Sequence, residues 1–197
     1  MSEADVRMRI MSGAKAAFSR YGYHDVHVSH ILDEAGIARA TFYKYFPNKR
    51  QVFHDIIAGI FRLLYDSVGD MLRDGDPETL GVRLRDSLEL SYGIFLDNRG
   101  VIQVYLSEAF RLDPGLYAIW DDFERRTLRL FAEVLDKGID SGAFRVVDTA
   151  LVSRAMFLLF LQVPFWDVLL GGLVEIDTGS LANEMVKFVM FGISAES

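Results

Sequence analysis

Apolar residues along this chain recur at three- and four-residue intervals, and two-residue alternation is hard to find, so the pattern predicts helices and no convincing strand. In the first segment Ile10, Ala14, Ala17 and Phe18 fall at i, i+4, i+7 and i+8, an amphipathic helix for which Gly22 is a natural stop. A second helix over roughly 28–35 buries Ile31 and Ala35. Gly36 then supplies the left-handed backbone that a sharp turn needs, and a third helix covers about 38–46. Pro47 blocks its continuation, and Asn48 is a good N-cap for a fourth helix that starts at Lys49 and runs to about Leu72. Five more helices are expected over about 78–97, 101–110, 116–137, 148–170 and 180–193. The breaks between them fall at Asp74-Gly75-Asp76-Pro77, Asn98-Arg99-Gly100, Asp113-Pro114-Gly115, Ser141-Gly142-Ala143-Phe144, and Gly171-Gly172 with Asp177-Thr178-Gly179. Nine helices predict an all-α protein.

The second and third helices, hinged at Ala35-Gly36, have the proportions of a helix-turn-helix, a shape that lays its second helix in the DNA major groove. Phe42 and Phe46, four apart, share the inward face of that helix, which leaves Arg39, Ala40, Tyr43 and Lys44 outward. Arginine and lysine donate to guanine O6 and N7. Tyr43 offers a hydroxyl to a phosphate, and Lys49 joins its charge to the free backbone N–H groups of a helix start. A generic aromatic and basic helix in a bundle shares part of this pattern; the full run through Tyr43, Phe46 and Lys49 is the specific part.

That run resembles the DNA-binding domain of the TetR family of ligand-responsive transcriptional regulators over about residues 7–53. The residues that carry the likeness are Ile31-Leu32, Ala35-Gly36-Ile37-Ala38, Arg39-Ala40, Thr41-Phe42-Tyr43, Lys44-Tyr45, Phe46 and Lys49. It implies that Thr41, Tyr43 and Lys49 hold phosphates, that Arg39, Ala40 and Lys44 face bases, and that Ser29 and His30 sit against the flanking backbone. Three positions depart from the family pattern. Leu32 replaces a usual alanine and would move the two helices slightly apart. Ala38 replaces a serine or threonine cap, at a typical loss of ~1 kcal/mol. His27 stands where a threonine is common, which removes a phosphate contact from that position.

Charge separates the chain in the same way. Residues 1–54 hold eight basic against five acidic residues, +3, and all four histidines, whereas residues 55–197 hold 13 against 23, −10. The acidic remainder would confine DNA to a small N-terminal face. The absence of cysteine excludes disulfides, thiolate zinc sites and thiol catalysis, and fits a reducing, cytoplasmic interior. From the polar start no secretory leader is expected. Residues 155–170 are apolar but short, and Gln162, Pro164 and Asp167 interrupt them, so they read as a buried helix rather than a membrane span. His24, His27 and His30 share a three-residue spacing, but Asp25 is the one acidic residue beside them and no acidic pair adjoins them, so no metal or cofactor is expected.

The resemblance further implies two domains: a helix-turn-helix over 1–48, and a helical domain over 49–197 that dimerises and holds an inducer pocket. The residues agree on a homodimer. Leu181, Met185, Phe188 and Gly192 form one stripe of the last helix, widened by Ala182, Val186, Val189 and Ile193. The helix before it, Ala155 to Leu161, is apolar all round, and one chain cannot easily cover both. Tyr92, Tyr105, Phe110, Trp120, Phe157, Phe160, Phe165 and Trp166 are the candidates to line an apolar cavity, with Pro164 bending a helix around it. No nucleophile–base pair, metal cluster or phosphate loop is legible, so no enzyme is expected. The expectation is a DNA-binding regulator released from a near-palindromic operator by a small hydrophobic ligand. The alternative is a regulator of the same fold without a small-molecule inducer.

Overall fold

A computed structural model describes residues 3–73, 75–109, 113–162 and 177–194. Among them are nine α-helices and no strand: α1 (Glu3–Asp25), α2 (Val28–Ala35), α3 (Arg39–Tyr45), α4 (Lys49–Arg73), α5 (Leu80–Asp97), α6 (Arg99–Val104), α7 (Pro114–Asp140), α8 (Thr149–Phe157) and α9 (Thr178–Ile193). A 3-10 turn, Pro77–Thr79, precedes α5, and single π turns, Tyr105–Ala109 and Leu158–Gln162, extend α6 and α8. No helix among the described residues is long and apolar enough to cross a membrane. The chain forms two compact units, Met1–Phe61 with Asn98–Trp120, and Arg62–Asp97 with Asp121–Ser197. Helices α4 and α7 contribute residues to both.

In the first unit Ile10, Ala14, Ala17 and Phe18 are buried along one face of α1, as their spacing predicts. A methyl group on Gly13 would come within 2.6–2.8 Å of Ala35, so glycine sets how closely α1 and α2 cross. Arg9 Nη2 then caps the end of α2, donating to the carbonyls of Ala35 (2.8 Å) and Gly36 (3.2 Å). Helix α1 kinks at Gly22, φ 76°, and resumes to Asp25, three residues past the expected stop. The kink frees the Tyr23 N–H, which donates to the Glu108 carboxylate at 2.9 Å. The expected break at Asn98-Arg99-Gly100 narrows to Asn98, whose side chain accepts from Lys15 Nζ at 2.8 Å.

In the second unit α9 packs on α5 and turns Ala182, Met185, Val186, Val189 and Ile193 inward. Met185 is therefore core, whereas Phe188, on the same sequence stripe, is exposed. Asp148 and Asp177 cap α8 and α9, accepting from the amides of Leu151 (3.0 Å) and Gly179 (3.2 Å). The Phe144 ring lies over Gly138 so closely that no side chain fits there. The loop after α7 thereby folds back, and Arg145 donates to the Ile193 carbonyl at 2.9 Å. The part of the helix expected over 148–170 that follows residue 162 lies outside the described residues.

Replacing Gly13 with alanine gains helix propensity, ~1 kcal/mol, but forces α1 and α2 apart, and overpacking typically costs ~1–3 kcal/mol. A net loss of about 1 kcal/mol, or more, is expected as a lower urea midpoint. Gly59→Ala, where nothing lies within 4 Å of the added methyl, should raise the midpoint.

Candidate nucleic-acid interface

The turn between α2 and α3 is made by Gly36 at φ 60°, ψ 44°, with Ile37 N donating to Leu32 O at 3.2 Å. Phe42 and Phe46 are buried, and the Arg7 guanidinium covers Phe46 at 4.6 Å from its ring centroid. With both rings inward, Arg39, Ala40, Tyr43 and Lys44 lie exposed on the opposite side of α3, and Thr41 is half-buried. Ala38 occupies the N-cap position without a side-chain bond. Lys44 has Glu3 at 4.0 Å, a surface pair of little strength. Arg39 lies 5.7 Å from the Tyr43 ring. Ser29 is exposed at the start of α2. His30 stacks on Tyr21 at 4.0 Å, and its Nδ1 accepts from the His27 amide at 3.2 Å.

Lys49 behaves differently from the outward residues of α3. Its ammonium donates to the carbonyls of Tyr23 (3.0 Å), His24 (2.8 Å) and Val26 (2.6 Å), which takes up all three of its donors. Burial lowers its pKa, partly opposed by the Asp25 charge. The side chain thus ties the start of α4 to the segment that leads into α2. Asn48 caps α4 through its side-chain oxygen, which accepts from Gln51 N at 2.9 Å.

One residue further on, Arg50 reaches a site the sequence reading did not find. The Asp113 carboxylate, 4% exposed, accepts from Arg50 Nε and Nη2 (both 2.7 Å), His54 Nε2 (2.7 Å), the Tyr23 hydroxyl (3.1 Å) and the Gly115 amide (2.9 Å). The Arg50 bonds hold its pKa far below the usual carboxylate range, against the effect of burial, with His54 and Gly115 adding to them. Burial, then the bond to Asp113, pushes the Tyr23 phenol up to about 12. A side chain on Gly115 would meet His54 Cε1 at 2.4 Å, so glycine is required there. Asp113-Pro114-Gly115 reads in sequence as a turn. Its partners, some 60 residues away on α4, leave no local trace.

Two family models match the chain: bacterial regulatory proteins of the tetR family over residues 10–56, and the tetracyclin repressor-like C-terminal domain over residues 78–173. The HTH-type transcriptional regulator YdgC of Bacillus subtilis is 39% identical over 95% of this chain and 92% of its own. The chain belongs to the tetR family. It is a DNA-binding transcriptional regulator. The repressor KstR2 of Mycobacterium tuberculosis is 26% identical over 75% of this chain and 74% of its own. Its solved structure, that of a ketosteroid transcriptional regulator, has a TM-score of 0.69 at 22% identity and covers 100% of this chain and 98% of that one. A TetR transcription regulator from Haloarcula marismortui has the same fold, with a TM-score of 0.78 at 21% identity, covering 97% and 99%.

The second unit of this tetR-family regulator holds an apolar cavity of about 20 Å³ among α4, α5 and α7, with Phe160 at one wall. That is room for about one water molecule. Of the aromatics expected to line a cavity, Phe160 does so, on the π turn after α8, and Phe157 packs against Phe123 behind the wall, centroids 6.1 Å apart. Tyr92 is buried in α5 but is not among the lining residues. Tyr105 and Trp120 lie in the first unit, flanking Phe61 at 5.7 and 5.6 Å. Phe110, Phe165 and Trp166, with Pro164, lie outside the described residues. Lining residues that the reading missed include Leu64, Tyr65, Leu88 and Phe131. The spacing of Leu64, Val68 and Leu72 on α4 was the available signal.

Asp113→Asn should lower stability at pH 7 by about 2 kcal/mol, the scale of a hydrogen bond to a charged group, because half-exposed Arg50 regains water. The folded carboxylate has a depressed pKa, so its contribution is present above the unfolded value, ~3.9, and is lost as pH falls through the folded one. Urea unfolding of parent and variant should therefore converge in strong acid. A gap that widens below pH ~4 would contradict the assignment.

Proposed function

We propose that this regulator is a homodimeric repressor whose residues 1–48 read a near-palindromic operator and whose residues 49–197 dimerise and take up a small hydrophobic inducer. Regulators of this family bind DNA operators and act as dimers. The observation that carries the reading is the division of α3, with Phe42 and Phe46 buried and Arg39, Ala40, Tyr43 and Lys44 outward. Arg39, Ala40 and Lys44 face bases. Thr41 and Tyr43 bind phosphates, and Ser29 and His30 meet the flanking backbone. Lys49, its donors engaged by three carbonyls, serves the interface by fixing the approach to α2.

For the operator, fragments of the source genome are selected on the protein and compared with scrambled duplexes. Lys44→Ala or Arg39→Ala should relax base preference at a cost of ~1–3 kcal/mol for a bidentate contact. Lys49→Ala should weaken binding to every sequence about equally while leaving the salt slope unchanged. A slope lowered by about one would instead put Lys49 on a phosphate.

The dimer face we propose is formed by α8 and α9. Phe188 and Phe191 are 75% and 82% exposed on α9, and Leu151, Ala155 and Leu158 make an exposed stripe at i, i+4 and i+7 on α8 and the π turn that extends it. Pairing with a second copy would place two recognition helices about one duplex turn apart, ~34–36 Å. Phe188→Glu leaves the core of the single chain untouched and should sediment as a folded monomer with weakened operator binding. An intact dimer would move the interface elsewhere.

The inducer reading is supported by the apolar cavity and by α4, which begins at the α1–α2 segment and supplies cavity-lining residues from Leu64 to Leu72. A complete switch needs a ligand that prefers the released form by about 5.5 kcal/mol. The tightness of the cavity favours the second reading, a regulator without an inducer. Failure of hydrophobic compounds to release operator would establish that one.

A further inference from the structure

Building on the inducer reading, we propose that the ligand is an anionic amphiphile: an unbranched hydrocarbon chain with a carboxylate or phosphate head. The cavity walls specify the chain. Ser87, Ser91 and Thr127 are the hydroxyl residues of the buried wall, and each spends its proton internally, on Met71 Sδ (3.3 Å), Ser87 O (2.7 Å) and Phe123 O (2.9 Å). Among the described residues, the buried wall therefore offers no spare hydroxyl donor to a polar ligand body. Its lining extends over about two turns of α4, from Leu64 to Leu72, and of α7, from Phe123 to Phe131, or ~12 Å along each helix. The free space along it is only about 20 Å³. A slender chain opens such a seam with smaller side-chain shifts than a compact ring system requires.

The mouth specifies the head. Every described lining residue is buried except Tyr65 and Val68 on α4, so the cavity meets solvent on that side. Two guanidinium groups flank Tyr65. Arg73 Nη2 donates to its hydroxyl at 2.7 Å, and Arg126 from α7 covers its ring at 4.0 Å from the centroid. Gly69 allows this arrangement, since a methyl there would lie 2.7–2.8 Å from the Arg73 guanidinium. The neighbouring acids engage both arginines weakly, Asp70 at 4.0 Å from Arg73 and Asp122 at 3.7 Å from Arg126. Two cationic forks beside an apolar slot suit a planar or tetrahedral oxyanion, which guanidinium binds in bidentate fashion. A cationic head would be repelled there, and a neutral one would leave the forks unused.

The test titrates the full-length protein by calorimetry with decanoate, decanoyl-coenzyme A and decanol, and follows release from the selected operator by anisotropy. Saturable binding of at least one anionic probe, about tenfold or more tighter than decanol, is expected. Arg73→Ala/Arg126→Ala should abolish that preference while decanol affinity and operator binding stay unchanged. Both arginines are partly exposed, so the variant is expected to fold. Tyr65→Phe, which removes the Arg73 anchor alone, should reduce the preference in part. Decanoate binding alone assigns a carboxylate head, and binding of the coenzyme ester alone assigns phosphate. Equal binding of decanol, or a preference that survives the double variant, overturns the inference. If all three probes fail while other hydrophobic compounds release operator, the inference falls and the inducer reading stands. If no hydrophobic compound binds, the inducer reading falls too.

Discussion

The geometry of the first unit depends on one buried carboxylate. Removing Asp113 from water costs several kcal/mol unless donors replace the lost hydration. Here they come from Tyr23 on α1, Arg50 and His54 on α4, and the Gly115 amide at the start of α7. Because no one of these elements can satisfy the charge alone, the carboxylate fixes their relative placement. The next residue back on α4 extends the constraint: Lys49 binds the carbonyls that lead into α2. Adjacent cations, 49 and 50, therefore secure the same helix start to two different partners.

The outward surface of α3, which we propose faces DNA, is built on the opposite principle. Its inner side is fixed by Phe42 and Phe46, by the αL turn at Gly36 and by the close crossing at Gly13, all of which are packing or backbone constraints. Its outer side chains are held by little more than a 4.0 Å surface pair and a distant cation–π contact. A rigid helix carrying weakly engaged donors suits recognition, since reading a base requires breaking few prior bonds.

The second unit shows a comparable contrast. The cavity beside α4 is apolar, and the polar chemistry sits at its edge, around Tyr65. On α8 and α9, large apolar side chains remain in solvent although the helices' inner faces are buried. Burial on one face and exposure on the other follow from helices with an apolar girdle wider than one neighbour can cover.

The helices and the reading motif were legible in the sequence, because periodicity, the Gly36 turn, the Asn48 cap and the inward pair Phe42–Phe46 are all encoded within a few residues of one another. The aromatic set was not. Tyr105 and Trp120 belong to one unit and Phe157 and Phe160 to the other, and helical spacing says only that such residues face something apolar. Lys49 was legible as a cation at a helix start, but its binding to three carbonyls follows from the way α1 ends beside it. Asp113 was legible as part of a turn and not as the acceptor of Arg50 and His54. Sequence by itself determined what local backbone preference and periodicity control: the helices, the turn and the outward face of α3. Tertiary structure alone decided which distant groups meet, because a buried charge or ring chooses its partners by the packing of the whole chain.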